Sequence, residues 1–149
     1  MNFLKLPTLA TLAALCVLVA ATGAHEYYTP SFKVIHPWAE PTEPGASMAP
    51  VYLKFEEISA ADRLIGARSD FAGSVELRSP LSQGTSVEAS APLEAIAIPV
   101  GSSTELSPNS QHLLMLDLKT PLLMGRSYPL TLIFEKSGAI ETMLSVGAH

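Results

Sequence analysis

The sequence has few of the residues and motifs on which most catalytic and structural metal sites depend. Its single cysteine, Cys16, lies in an apolar N-terminal segment. No C-x-x-C pair, Gly-rich phosphate loop or G-x-S-x-G motif occurs, and the carboxylates are scattered rather than paired. These absences argue against a zinc-ribbon protein, a nucleotide-binding protein and a nucleophilic hydrolase. We therefore expect no enzymatic activity.

Charge is also sparse, and negative charge dominates. Charged residues make up 15% of the chain against 48% hydrophobic residues, and the formal net charge is −5. Long charge runs and low-complexity tracts are absent, so the composition favours a globular chain that buries a core. The acidic balance argues against a nucleic-acid partner and against binding to an anionic membrane surface.

Residues 1–24 have the three-part plan of a secretory signal peptide. Lys5 gives a positive start, an apolar run extends from Leu9 to Ala21, and small residues end the segment at Ala24. An uncleaved membrane anchor is the alternative, but the run is short for a spanning helix. Cleavage after Ala24 would leave a domain of residues 25–149 in the periplasm, without membrane insertion. That domain would have no cysteine and a formal net charge of −6.

The rest of the chain has the pattern of an antiparallel β-protein. Short alternating segments are separated by turn signals, and no amphipathic helical stripe occurs, which predicts an all-β, Greek-key barrel or sandwich. Pro37 is expected to end the first strand or to restrict it to a sheet edge. The predicted strands are Phe32–Trp38, Pro50–Phe55, Arg63–Arg68, Val75–Arg78, Leu93–Val100, Gln111–Leu118, Tyr128–Glu135 and Ile140–Val146.

Histidine and methionine are the remaining metal donors. Thioethers together with imidazoles suit Cu(I), whereas nitrogen donors suit Cu(II). After cleavage, His25 would be the first residue, and its α-amine and ring nitrogen could chelate copper; alternatively, it belongs to a frayed terminus. His36 is either a ligand or a histidine bonded to a backbone carbonyl. The candidate donors are His25, His36, His112, His149, Met48, Met115, Met124 and Met143.

Gln111–Leu118 holds two of these candidates on one predicted strand. Strand alternation places His112 and Leu114 on one face, which we expect to be the buried one, and Met115 on the other. His112 is therefore either a metal ligand or a packed histidine satisfied by its neighbours.

Several motifs occur in an order that resembles the PCu(A)C-type periplasmic copper chaperones. They include AHEYY, HPWAEPTEPGA, VYLKFE and SPNSQHLLMLDLKTPLLMG, and the resemblance covers nearly all of residues 25–146. It implies a cupredoxin-like β-barrel that binds copper and delivers it toward cytochrome oxidase assembly. The implied partners are oxidase assembly factors or another copper chaperone, and we expect a monomer.

The sequence departs from this family at the copper ligands. The family's Cu(I) site uses a His, a Met ten residues further on, and a His-x-Met pair. Here His112 is retained, but Leu114 replaces the second residue of that pair, and the other positions fall on Ser90 and on Ser79 or Arg78. Two hypotheses follow. The protein binds copper through another set drawn from His25, His36, His112 and Met115, or it is a degenerate member that acts as a protein-interaction module.

Overall fold

The computed structural model describes residues 25–81, 86 and 89–147, which form eleven β-strands. The predicted signal peptide and His149 lie outside the described residues. The strands are β1 (Glu26–Tyr28), β2 (Lys33–Ala39), β3 (Met48–Ile58), β4 (Asp62–Arg68), β5 (Ala72–Arg78), β6 (Pro92–Leu93), β7 (Ile96–Ile98), β8 (Gly101–Leu106), β9 (His112–Leu118), β10 (Ser127–Phe134) and β11 (Gly138–Val146).

Seven of these strands close into a barrel in the order β2, β11, β10, β4, β5, β9 and β3, with β3 pairing back to β2. The pairing of β2 with β11 is parallel, and the other six pairings of the ring are antiparallel. Short strands β1, β6, β7 and β8 extend the sheet from β2, β5, β4 and β3. The predicted all-β, cupredoxin-like Greek-key barrel is confirmed.

The prediction for Pro37 is wrong. Strand β2 continues through Pro37 to Ala39 and lies inside the ring between β3 and β11. The register between β2 and β3 shifts between Ile35 and Trp38, and His36 has a φ of 46°. A proline fits at such an irregularity because no ladder hydrogen bond requires its missing N–H.

The barrel interior is filled by alternate side chains of the ring strands. Phe32, which precedes β2, lies against Phe55 and Phe134 with ring centroids 5.6 and 5.0 Å apart. On β9 the side chains that point into the barrel are Leu113 and Met115. The expectation that the His112 face is buried is confirmed for His112 and Leu114, which are fully buried on the outer face, but the Met115 face is buried as well.

A buried carboxylate fastens the start of β4 to the turn between β10 and β11. Asp62 accepts hydrogen bonds from Lys136 N (2.9 Å), Ser137 N (2.9 Å) and Ser137 Oγ (2.7 Å). Burial alone would raise the pKa of Asp62, but the hydrogen bonds from Ser137, Lys136 and Arg63 outweigh it and hold that pKa below its usual value. The ionised form is therefore favoured in the folded protein.

Asp62→Asn is expected to lower the free energy of unfolding at pH 7 by about 1–3 kcal/mol, because the amide places donors against donors. The Asp62 contribution is present above the unfolded pKa and is lost as the pH falls through the lower, folded pKa. Urea unfolding between pH 7 and pH 3 should therefore show a smaller loss of stability on acidification for Asp62→Asn. Asp70→Asn, at an exposed carboxylate, is the control. Equal unfolding curves for the two variants would contradict this prediction.

Candidate metal site

Two of the predicted donors, His25 and His36, come together at the N-terminal end of the described chain. Strand β1 folds back antiparallel on β2, and the backbone N–H of His36 donates to the carbonyl oxygen of His25 over 2.6 Å. The two imidazole rings are 4.6 Å apart between centroids and nearly perpendicular, at 82°. Nδ1 of His25 lies 3.1 Å from the hydroxyl oxygen of Ser145 on β11.

The sequence between the two histidines explains why they meet. Thr29 Oγ1 accepts hydrogen bonds from Ser31 N and Phe32 N, which closes the turn between β1 and β2. Tyr27 extends the attachment toward β11, because its hydroxyl accepts a 2.8 Å hydrogen bond from Met143 N. The short β1 arm is therefore fixed to two strands of the barrel, which positions His25.

His112 lies elsewhere, on β9, and β3 separates that strand from β2. Its Nδ1 is 3.2 Å from the carbonyl oxygen of Ser110, and its ring is 6.1 Å from the ring of Tyr52. Its Nε2 is buried and has no hydrogen-bond partner among the described residues. Met115 is also on β9, but it is fully buried in the hydrophobic core on the opposite face.

The four donors of the first hypothesis, His25, His36, His112 and Met115, therefore occupy three environments. The structure brings His25 and His36 together and leaves His112 and Met115 apart from them and from each other. Over residues 25–81, 86 and 89–147, no group of three or more His, Cys, Asp or Glu side chains has the arrangement of a metal site. Any site at His25 and His36 would need donors beyond these side chains, and the α-amine of a mature N-terminus would be one.

The positions that correspond to the family's Cu(I) ligands do not fit Cu(I) in this chain. Arg78 lies directly opposite His112 in the pairing of β5 with β9. Its Nη1 donates to the carbonyl oxygen of Ser90, and its Nη2 is 2.9 Å from Oε2 of Glu76. Serine, arginine and leucine occupy the positions of the other ligands, so soft donors are lacking there, and a positive charge lies opposite the one retained imidazole.

Two features of these sites are not predicted from the sequence. Ser145 becomes a neighbour of His25 through the parallel pairing of β2 with β11, which joins distant parts of the chain. The ion pair of Arg78 with Glu76 has a weak signal in the sequence, because their i, i+2 spacing on a strand places both side chains on one face.

Residues 32–146 match the profile of the LpqE-like lipoprotein family. The chain belongs to this family. The resemblance to PCu(A)C proteins is also confirmed, because the fold and the family are those of PCuAC domains. No curated protein matches the chain in sequence. Within the described residues, no helix has the length and apolar character required to cross a membrane.

The most informative solved structures are PCuAC domains. The copper-bound PCuAC domain from PmoF2 is 28% identical, with a TM-score of 0.71 over 84% of this chain and 99% of that domain. The apo PCuAC domain from PmoF1 is 25% identical, with a TM-score of 0.70 over 84% of this chain and 100% of that domain. The Cu(I) form of DR1885 from Deinococcus radiodurans, at 19% identity and a TM-score of 0.63, shares the fold over 85% of this chain and 83% of its own.

Proposed function

We propose that this protein is a copper-binding, chaperone-like PCuAC protein that takes Cu(II) as its cargo at His25 and His36. The observation that carries this proposal is the approach of the two imidazole rings to 4.6 Å at the start of the domain. The likeness to a copper-bound domain at 28% identity supports copper as the metal.

The donor chemistry follows from cleavage after Ala24. The α-amine and Nδ1 of an N-terminal histidine are spaced to close a six-membered ring on one metal ion. His36 adds a third nitrogen, and three nitrogen donors suit Cu(II) better than Cu(I). Without copper, Nδ1 of His25 contacts the hydroxyl of Ser145. A copper ion bound to Nδ1 would replace that contact, and the Ser145 hydroxyl could then bond to water instead.

The biological role that we propose is copper delivery or buffering in the periplasm, directed toward cytochrome oxidase assembly. Its partners would be an assembly factor or another copper chaperone, and the protein would act as a monomer. The signal-peptide pattern of residues 1–24 and the match to an LpqE-like lipoprotein family support a place outside the cytoplasm. An accessible terminal site suits a carrier, because its ligands can be exchanged without opening the barrel.

The alternative is a protein-interaction module that does not bind metal tightly. It is favoured by the absence of any three-residue His, Cys, Asp or Glu metal group in the described parts of the chain. The two proposals differ in one measurable quantity, the copper affinity of the mature domain.

The test is a competition titration of the domain that begins at His25, with Cu(II) and with Cu(I). We expect one Cu(II) per chain with a Kd well below about 1 μM. Trp38, the only tryptophan, is two residues from His36, and its fluorescence should be quenched as copper binds. His36→Ala should weaken Cu(II) binding about 10–100-fold through the loss of one nitrogen donor.

His149→Ala is the matched control, because it removes a histidine that the proposed site does not use. It should leave the Cu(II) affinity unchanged. Binding weaker than about 1 μM for both copper ions would reject the copper proposal and favour the interaction module.

A further inference from the structure

A second cluster of polar side chains, made of Arg78, Glu76 and the buried His112, lies on the outer face of the barrel, where β5 pairs with β9. Arg78 is directly opposite His112, and Glu76 is opposite Leu114. These side chains point away from the core, because their neighbour Leu77 packs inside it. The Arg78 side chain is only 12% exposed, and His112 is fully buried.

The guanidinium of Arg78 connects β5 to the segment that precedes β6. Its Nη1 donates to the carbonyl oxygen of Ser90, and its Nη2 is 2.9 Å from the carboxylate of Glu76. The base of the same segment is closed by Ser79 and Ala91. Ser79 N donates to Ala91 O over 2.8 Å, and Ala91 N donates to Ser79 Oγ over 2.9 Å. Arg78 therefore fixes Ser90 against β5, at the position opposite His112.

His112, directly opposite Arg78 in the pairing of β5 with β9, has an unused ring nitrogen. Its Nδ1 faces the carbonyl oxygen of Ser110 at 3.2 Å, and a carbonyl only accepts hydrogen bonds, so Nδ1 carries the hydrogen. In the neutral ring, Nε2 then has a free lone pair. That atom is buried and has no hydrogen-bond partner within the described part of the chain. A buried imidazole nitrogen of this kind is chemically competent to bind a soft or borderline metal ion.

We infer that Arg78 is a specificity-determining residue that excludes metal ions from His112. A guanidinium does not lose its proton in a protein, so the positive charge beside His112 is permanent. It repels a second cation in surroundings where little water screens it. It also engages Glu76, a nearby carboxylate that would otherwise attract a metal ion.

The consequence is that His112 on β9 does not bind a metal ion. This exclusion does not depend on the copper site proposed at His25 and His36. If both statements hold, they confine copper to the N-terminal site.

The experiment compares Cu(I) binding by two variants that differ only at Arg78. Both carry Ser90→Met and Leu114→Met, which supply thioethers beside His112. Leu114 shares the strand face of His112, and Ser90 contacts Arg78. Both also carry His25→Ala and His36→Ala, so failure of the N-terminal proposal does not affect the outcome. With Arg78→Gln added, we expect Cu(I) to bind about 100-fold more tightly than with Arg78 retained.

Further variants test whether the effect depends on His112 and on the positive charge at position 78. His112→Ala in the tighter variant should abolish the gain in affinity. Arg78→Lys, which keeps the charge and much of the packing, should bind Cu(I) as weakly as the variant with Arg78. It provides a second test if Arg78→Gln fails to fold, as judged by circular dichroism. Tight Cu(I) binding with Arg78 or lysine present, or no gain in a folded Arg78→Gln variant, would overturn the inference.

Discussion

Acetylation of the α-amine of His25 is expected to lower the Cu(II) affinity of the mature domain by about three orders of magnitude, or roughly 4 kcal/mol. The acetyl group converts the α-amine into an amide nitrogen, whose lone pair is delocalised, and unlike an added residue it brings no new α-amine. Nδ1 of His25 then has no partner donor in the same residue. The site loses both a nitrogen ligand and the advantage of binding two donors that are already held together.

The pH dependence of the Cu(II) affinity gives a second test of whether the α-amine is a ligand. An α-amine titrates near about 7.7–8.0 in model peptides, and a metal ion binds only its deprotonated form. The apparent Cu(II) affinity of the unmodified domain should therefore rise between about pH 6 and pH 8 more steeply than that of the acetylated domain. Competition titrations at several pH values would measure this difference.

A matched variant separates the amine from the ring. His25→Ala keeps the amine and removes the ring, so it tests the other half of the chelate. If the acetylated domain binds Cu(II) within about threefold of the unmodified one, the amine is not a ligand.

The sequence predicted the barrel but not the meeting of His25 with His36. Alternation and turn residues identify β3, β9, β10 and β11 well, because each is long enough to show its period. Strand β1 has only three residues, Glu26–Tyr28, and three residues cannot show an alternating pattern. Its pairing depends on the turn at Thr29 and on contacts with β11, which are long-range in sequence.

The β9 strand shows a second limit of sequence analysis. The two-residue alternation of a strand correctly places His112 and Met115 on opposite faces of β9. It cannot tell which of the two faces points into the barrel. In the structure Met115 packs in the core, and His112 is buried on the outer face beside Arg78. Both faces are apolar near this end because both are covered, so the hydrophobic pattern had no contrast to decide between them.

The largest loss of stability is expected for Phe32→Ala, at about 3–5 kcal/mol. Phe32 is 3% exposed, and its ring packs edge to face against Phe55 and Phe134, at the end of the turn that follows β1. Truncation to alanine would leave a cavity among large side chains that are themselves fixed by the closed barrel. Such a loss is a large part of the roughly 5–15 kcal/mol that holds a typical domain folded.

Tyr28→Ala is the matched control, because Tyr28 belongs to the same hairpin but is 64% exposed. The ammonium group of Lys33 lies over its ring, and its hydroxyl donates to Glu26. The expected loss in the free energy of unfolding therefore stays below about 1 kcal/mol. Urea unfolding followed by circular dichroism gives both values, and a Phe32→Ala loss no larger than that of Tyr28→Ala would contradict the prediction.

Because Phe32 anchors the arm that carries His25, the Cu(II) affinity of the still-folded Phe32→Ala fraction should also fall. A fall there, with none for Tyr28→Ala, would link the packing of the barrel core to the geometry of the N-terminal histidines.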